Sequence, residues 1–186
     1  GPLHIGHARG AVLGNIISNL LSNQGYEVTK EYYVNDAGRQ INILALSIML
    51  ETFQNKINKE GLYQGSYIKD LAKKFMEAKL VDEINNPLDK FSDDPDERID
   101  QLISHYKKDS PKTWIQIRYF SVNEMIKLIK DDLLRMGILH DEWFYESSLG
   151  SIEKKGSSVT KALDELVKSK NTFEKDGAIW FEGTKY

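Results

Sequence analysis

The first ten residues, Gly1-Pro2-Leu3-His4-Ile5-Gly6-His7-Ala8-Arg9-Gly10, run directly into a helical repeat of apolar positions. Val12, Ile16, Ile17, Leu20 and Leu21 recur at three- and four-residue spacing until Gln24-Gly25, so a helix is expected from about Ala8 to Ser22 with the two histidines at its head. The first N–H groups of a helix have no internal partner and the macrodipole is positive there, which favours phosphate oxygens. His4 and His7, three residues apart, fall on one side of a first turn, where both can donate to a phosphate as its charge builds up. Gly6 between them has no side chain, so a flat ring such as a purine can lie on the backbone. Alone, His-x-x-His reads more readily as a chance pair on a solvated turn, or as two metal ligands. Pro2 before it, Gly6 within it, Arg9-Gly10 after it and the immediate amphipathic helix favour a nucleotide site.

Tyr26 to Val34 is rich in aromatic and β-branched residues and reads as a strand. In a doubly wound sheet ligands lie beyond the carboxyl ends of strands, which puts Asn35, Asp36 and Gln40 in position to meet one. From the residues alone, Asn35-Asp36-Ala37-Gly38 reads as a turn and a helix cap. Ile41 to Phe53 reads as a helix buried along one face, 54–65 as a loop, and Ser66 to about Leu80 as a further helix ended near Asn85-Asn86-Pro87. The charged, turn-like Asp93 to Arg98 and the apolar set Ile99, Leu102, Ile103 and Tyr106 read as a solvated connector carrying one helix.

A long helix then follows through Trp114, Ile117, Phe120, Met125, Ile129, Leu133 and Met136, stopping at Gly137. It delivers the chain to a strand-like run over Ile138 to Tyr145. Alternation there predicts that Glu142, Phe144 and Glu146 point one way, and Asp141, Trp143 and Tyr145 the other. Left to themselves, these acids belong on a solvated edge strand. Beyond a Ser- and Gly-rich turn at Ser147 to Gly156, Ser157 or Ser158 caps a short helix through Val159, Leu163, Leu166 and Val167. Asp176-Gly177 between Thr172 to Lys175 and Ala178 to Glu182 is a two-residue hairpin signal.

With 186 residues and 40% hydrophobic content, the chain can bury one substantial core, read as one domain with an insertion. The absence of cysteine removes disulfides and any cysteine-ligated zinc within these residues. No apolar run approaches a membrane span and no signal-peptide pattern opens the chain, so a cytoplasmic location is expected. A formal net charge of −3 is not the footprint of diffuse attraction to nucleic acid, and any such contact must be local.

Pro2-Leu3-His4-Ile5-Gly6-His7-Ala8-Arg9 resembles the His-Ile-Gly-His signature of class I aminoacyl-tRNA synthetases, with flanks most similar to arginyl-tRNA synthetases. Tyr33-Val34-Asn35-Asp36-Ala37-Gly38-Arg39-Gln40 and Trp143-Phe144-Tyr145-Glu146-Ser147-Ser148 resemble two further stretches of that family in matching order. Gly65-Ser66-Tyr67-Ile68-Lys69-Asp70-Leu71-Ala72 looks like its bacterial form, and the similarity is weakest from about Met76 to Thr113.

The resemblance implies an α/β fold: part of a doubly wound, Rossmann-like catalytic domain with its first strand and second half missing and a largely helical insertion. Residues 1–53 would begin the nucleotide-binding domain, 54–112 form the insertion or connector, and 113–186 return to the catalytic domain. It further implies ATP with Mg2+ as a substrate complex, no protein-bound metal, L-arginine and tRNA(Arg) as partners, no membrane, and a monomer. His4 and His7 would be catalytic, with Gly6 joining them in ATP binding. Arginine would meet Glu146, Asp36 and Gln40, with Gly38 structural, and a carboxylate such as that of Glu146 suits a planar guanidinium. Lys107, Lys108 and Lys112 are candidates for the tRNA acceptor end.

Such a fragment is expected to be inactive alone. Two other classes remain open: a small adenylyltransferase with a His-x-Gly-His helix start, which would form pyrophosphate without tRNA, and a non-catalytic synthetase-like binding module. A cysteinyl-tRNA synthetase shares the opening motif, but that family holds zinc through cysteines, which are absent here.

Overall fold

A computed structural model describes residues 1–55, 57–79, 84, 91–150 and 155–185. The expected stop at Asn85-Asn86-Pro87 lies outside the described residues, as do 151–154 of the Ser- and Gly-rich turn, while the third helix ends at Glu77, before the expected Leu80, where Lys79 turns to a positive φ of 51°. The described chain divides into two units, one of Gly1–Tyr32 with Asp36–Glu142 and one of Tyr33–Asn35 with Trp143–Tyr186. Helices and small sheets together form a partial α/β, Rossmann-like arrangement.

Helix α1, Ile5–Asn23, opens the first unit. It starts three residues earlier than the apolar repeat suggested, because His4 acts as its N-cap, a role usually filled by Ser, Thr, Asp or Asn. None of its residues is fully buried. Its half-buried positions are Ala8, Ala11, Asn15 and Ser18, while Leu13 (59% exposed) and Leu20 (60% exposed) lie open. Strand β1, Glu31–Val34, is shorter than the predicted Tyr26 to Val34.

Helix α2, Gly38–Thr52, is the centre of the unit. Eight successive residues, Ile43 to Leu50, are buried, which corrects the one-sided burial expected from sequence. The cause is packing on several sides, by α3 (Ser66–Glu77), α4 (Pro95–Asp109) and α5 (Pro111–Arg135). An all-round apolar helix is what a core position demands. Phe75 of α3 meets Phe120 of α5 with ring centroids 5.1 Å apart. Tyr106 and Trp114 stack with planes 2° apart where α4 gives way to α5.

Helix α4 also departs from the expected solvated connector. Asp94 caps it through the Glu97 N–H and Pro95 occupies its first turn. It then buries Ile99, Leu102, Ile103 and Tyr106, so apolar burial of roughly 1.5–3 kcal/mol per large side chain ties it to the core. Lys107, Lys108 and Lys112 are exposed.

Strand β2 covers only Glu142–Tyr145 and pairs with β1. Within the first unit, the Lys30 carbonyl accepts from the Asp141 N–H (2.8 Å) and the Glu142 N–H (3.1 Å), while the Lys30 N–H donates to Asp141 Oδ2 (2.8 Å).

The second unit carries a short 3-10 helix, Glu146–Leu149, helix α6, Ser158–Lys168, and the hairpin β3–β4, Thr172–Lys175 with Ala178–Phe181. Ser157 caps α6 through the Thr160 N–H. The hairpin is antiparallel with Lys175 opposite Ala178. Asp176 (φ 53°) and Gly177 (φ 73°) both take the left-handed conformation that a twist-matched two-residue turn requires.

Candidate active site

Helix α1 is capped by the signature's own histidines. His4 Nδ1 accepts from the Gly6 N–H at 3.1 Å, and His7 Nδ1 accepts from the His4 N–H at 3.3 Å, a reciprocal capping box built from imidazoles. The rings stack with centroids 3.8 Å apart and 28° between planes. An Nδ1 that accepts cannot carry the proton of a neutral imidazole, so in both rings that proton sits on Nε2. Two exposed N–H donors therefore stand together at the positive end of a 19-residue helix.

Gly6 has a packing role as well. A Cβ there would lie 3.0 Å from His4 Cε1 and 3.1 Å from His4 Nδ1, closer than side chains normally pack. The glycine lets the first imidazole fold back onto the helix start.

Asp36 is half-buried and precedes α2, whose N-cap is Ala37 with no side-chain cap bond. Gln40 lies exposed in the first turn of α2, its Oε1 accepting from the Tyr63 hydroxyl at 2.8 Å. Arg39 beside it reaches α4, its Nε to Asp100 Oδ1 and its Nη2 to Asp96 Oδ1, each at 2.9 Å. Backbone at the head of the signature lies close to the same tyrosine: a Cβ at Gly1 would stand 3.8 Å from Tyr63 Cε1 and 3.9 Å from the Tyr67 hydroxyl. Burial, with the neighbouring Tyr63, pushes the Tyr67 phenol above its usual value.

Glu146 belongs to the second unit and is half-buried. The strand alternation expected to aim it does not reach it, since β2 ends at Tyr145 and Glu146 begins the 3-10 helix. Ser148 Oγ donates to the Tyr145 carbonyl at 2.6 Å and closes that turn. Within this unit Phe144 stacks on Tyr33, centroids 6.0 Å apart.

The structure thus brings His4, Gly6 and His7 together, and ties Gln40 to a tyrosine that sequence reading left without a role. Tyr63 carried no motif signal; the nearby Gly65-Ser66-Tyr67 stretch was the nearest hint. Among the described residues there is no group of three or more His, Asp or Glu able to hold a metal ion, and no helix long and apolar enough to cross a membrane.

The profile of the family described as tRNA synthetases class I (R), catalytic domain, matches residues 1–178. An arginine–tRNA ligase of Vesicomyosocius okutanii is 36% identical over 194 residues, covering 100% of this chain and 33% of that protein. One from Coxiella burnetii is 36% identical over 203 residues, covering 99% of this chain and 33% of that protein. A crystal structure from Campylobacter jejuni, provisionally assigned as an arginyl-tRNA synthetase, superposes with a TM-score of 0.70 at 31% identity, covering 100% of this chain and 35% of that one. The chain spans about a third of the length of these curated relatives.

Proposed function

Because the chain belongs to the family of class I arginyl-tRNA synthetase catalytic domains, we propose that it supplies part of the active site of an arginine–tRNA ligase. In this reading a cytoplasmic, monomeric enzyme condenses L-arginine with ATP to arginyl-adenylate and pyrophosphate, then transfers arginine to the 3′ end of tRNA(Arg). The arginine carboxylate attacks the α-phosphorus in line, and the bond to the departing pyrophosphate breaks. Mg2+ arrives with ATP as part of the substrate.

Such a displacement asks the protein to position reactants and to neutralise charge. His4 and His7 offer their Nε2–H groups to the phosphate oxygens as negative charge grows, at a helix end that already favours anions. Gly6 keeps the surface open to the adenine ring. Asp36 and Gln40 contact arginine at the start of α2, and Glu146 takes the guanidinium through a two-pronged, charge-assisted pair. Residues 54–112, with Lys107, Lys108 and Lys112, are assigned to the side that receives the tRNA acceptor end.

The observation that carries this reading is the paired occupation of both Nδ1 atoms by backbone N–H groups, which leaves two Nε2 donors at one helix head. Arginine-dependent ATP–pyrophosphate exchange, measured on the natural full-length protein with purified tRNA, tests it. Exchange that requires both arginine and tRNA is expected. Pyrophosphate formation that ignores both would point to an adenylyltransferase, and failure to bind ATP would point to a binding module. The 186-residue chain alone is expected to show no exchange.

A further inference from the structure

Gln40 and Ser47 are seven residues apart on α2, two turns, and so share one face about 10 Å apart along the axis. The loop that follows α2 returns along that face. Ser47, 3% exposed, donates its hydroxyl proton to the Ile43 carbonyl at 2.7 Å, and its oxygen accepts the Tyr63 N–H at 3.0 Å. Leu62 is buried immediately before Tyr63. The backbone of Tyr63 is therefore anchored to the core, while its side chain reaches back towards the start of α2 and donates to Gln40 Oε1 at 2.8 Å.

That bond has a chemical consequence. An amide oxygen carries two lone pairs and the amine two N–H donors; the Tyr63 hydroxyl takes one lone pair of Oε1, and both Nε2 N–H groups are left to donate. Arginine's guanidinium has donors only and cannot satisfy such a group, whereas the α-carboxylate has only acceptors when ionised. We propose that Tyr63 is a positioning residue that turns Gln40 so that its Nε2 amine is presented to substrate, and that Gln40 thereby reads the carboxylate end of the amino-acid substrate and not its guanidinium. This rests on the reading that Gln40 contacts arginine. It adds which end is read and which residue enforces the choice. The closeness of Gly1 to the same ring sets Tyr63 between the head of the signature and the start of α2.

Agmatine, which is arginine without its carboxylate, separates the two ends of the substrate. In the full-length enzyme, Tyr63→Phe removes one hydroxyl and keeps the ring. It should raise the KM for arginine by about five- to tenfold, the worth of one hydrogen bond. Inhibition by agmatine should be unchanged, because that ligand lacks the group Gln40 reads. Equal weakening of arginine and agmatine would overturn the proposal, since local damage would then explain both. If Gln40→Ala raises the KM for arginine while Tyr63→Phe leaves it alone, Gln40 contacts substrate without help from Tyr63 and the proposal fails. If neither variant changes it, the Gln40 contact fails as well. Should Tyr63→Phe not fold, Gln40→Glu serves instead: its carboxylate still accepts from Tyr63 but repels a substrate carboxylate. Arginine binding should then drop while agmatine binding holds or tightens, and an equal loss of both would refute the assignment.

Discussion

The imidazoles of His4 and His7 lie stacked, centroids 3.8 Å apart, and each accepts a backbone N–H through Nδ1. One pair of side chains thus both starts the helix and furnishes the groups proposed to meet phosphate. The two roles can be separated because asparagine caps helices well but offers no imidazole.

His4→Asn should preserve the start of α1, seen as unchanged far-UV circular dichroism, and lower the rate of arginine activation by about 10²–10³-fold, the range for losing one preorganised donor. His4→Ala should lower activity similarly and cost roughly 1 kcal/mol of stability in addition. An Asn variant that keeps near-normal activity would reduce His4 to a cap.

Gly6→Ala sets two effects against each other. Alanine is the better helix former by up to about 1 kcal/mol, which favours stability. Its Cβ, 3.0 Å from His4 Cε1, should push that ring off the helix start. The displaced ring gives up a cap worth roughly 1 kcal/mol, so the expected signature is a raised KM for ATP with a melting temperature close to the parent's. A raised KM with a clearly lowered melting temperature would mean that the backbone at Gly6 is itself strained by substitution.

Glu124 supplies a pH dependence. Its carboxyl sits below the usual range, first because Lys127 hydrogen-bonds to it and then because Lys74 of α3 does, against an opposing burial penalty. A carboxyl depressed in the folded state contributes stability that is fully present above its ordinary value near 4.5 and is lost as pH falls through the lower, folded value. Glu124→Gln should therefore cost about 1 kcal/mol at pH 7, a modest figure because both lysines are more than half exposed. Urea midpoints of the variant and the parent should converge as pH falls below 4.5 and through the lower, folded value. A gap that persists unchanged in acid would assign the effect to packing.

What the sequence made legible follows the range of the interactions involved. The Asp176-Gly177 hairpin was readable because its turn is a local matter of two left-handed residues, and the register closes on it as expected. Helix α5 was readable because its apolar stripe repeats over 25 residues. The burial of helix α2 on all sides is not legible because periodicity cannot count the neighbours that pack around a helix, although the unbroken run Ile43 to Leu50 carries the hint. The start of α1 at Ile5 is not legible because histidine is not among the usual capping residues. Strand alternation predicts a direction for Glu146 that a turn closed by Ser148 takes away. Tyr63 escaped notice because its value lies in a bond to a residue 23 positions away.

Arg39 bridges α2 to α4 through two carboxylates and could be taken for the fastening of that helix. Magnitudes decide otherwise. The Arg39 side chain is 42% exposed and its partners 82% and 62%, so each pair is worth at most about 1 kcal/mol and less in salt. Leu102 of the same helix is fully buried, and truncating such a side chain to alanine costs about 2–5 kcal/mol. Arg39→Ala should therefore lower the urea midpoint slightly, with the difference shrinking as salt rises, while Leu102→Ala should lower it severalfold more at any ionic strength. Comparable losses for the two variants would mean that the clamp at the head of α2, and not the apolar contact, holds α4 in place.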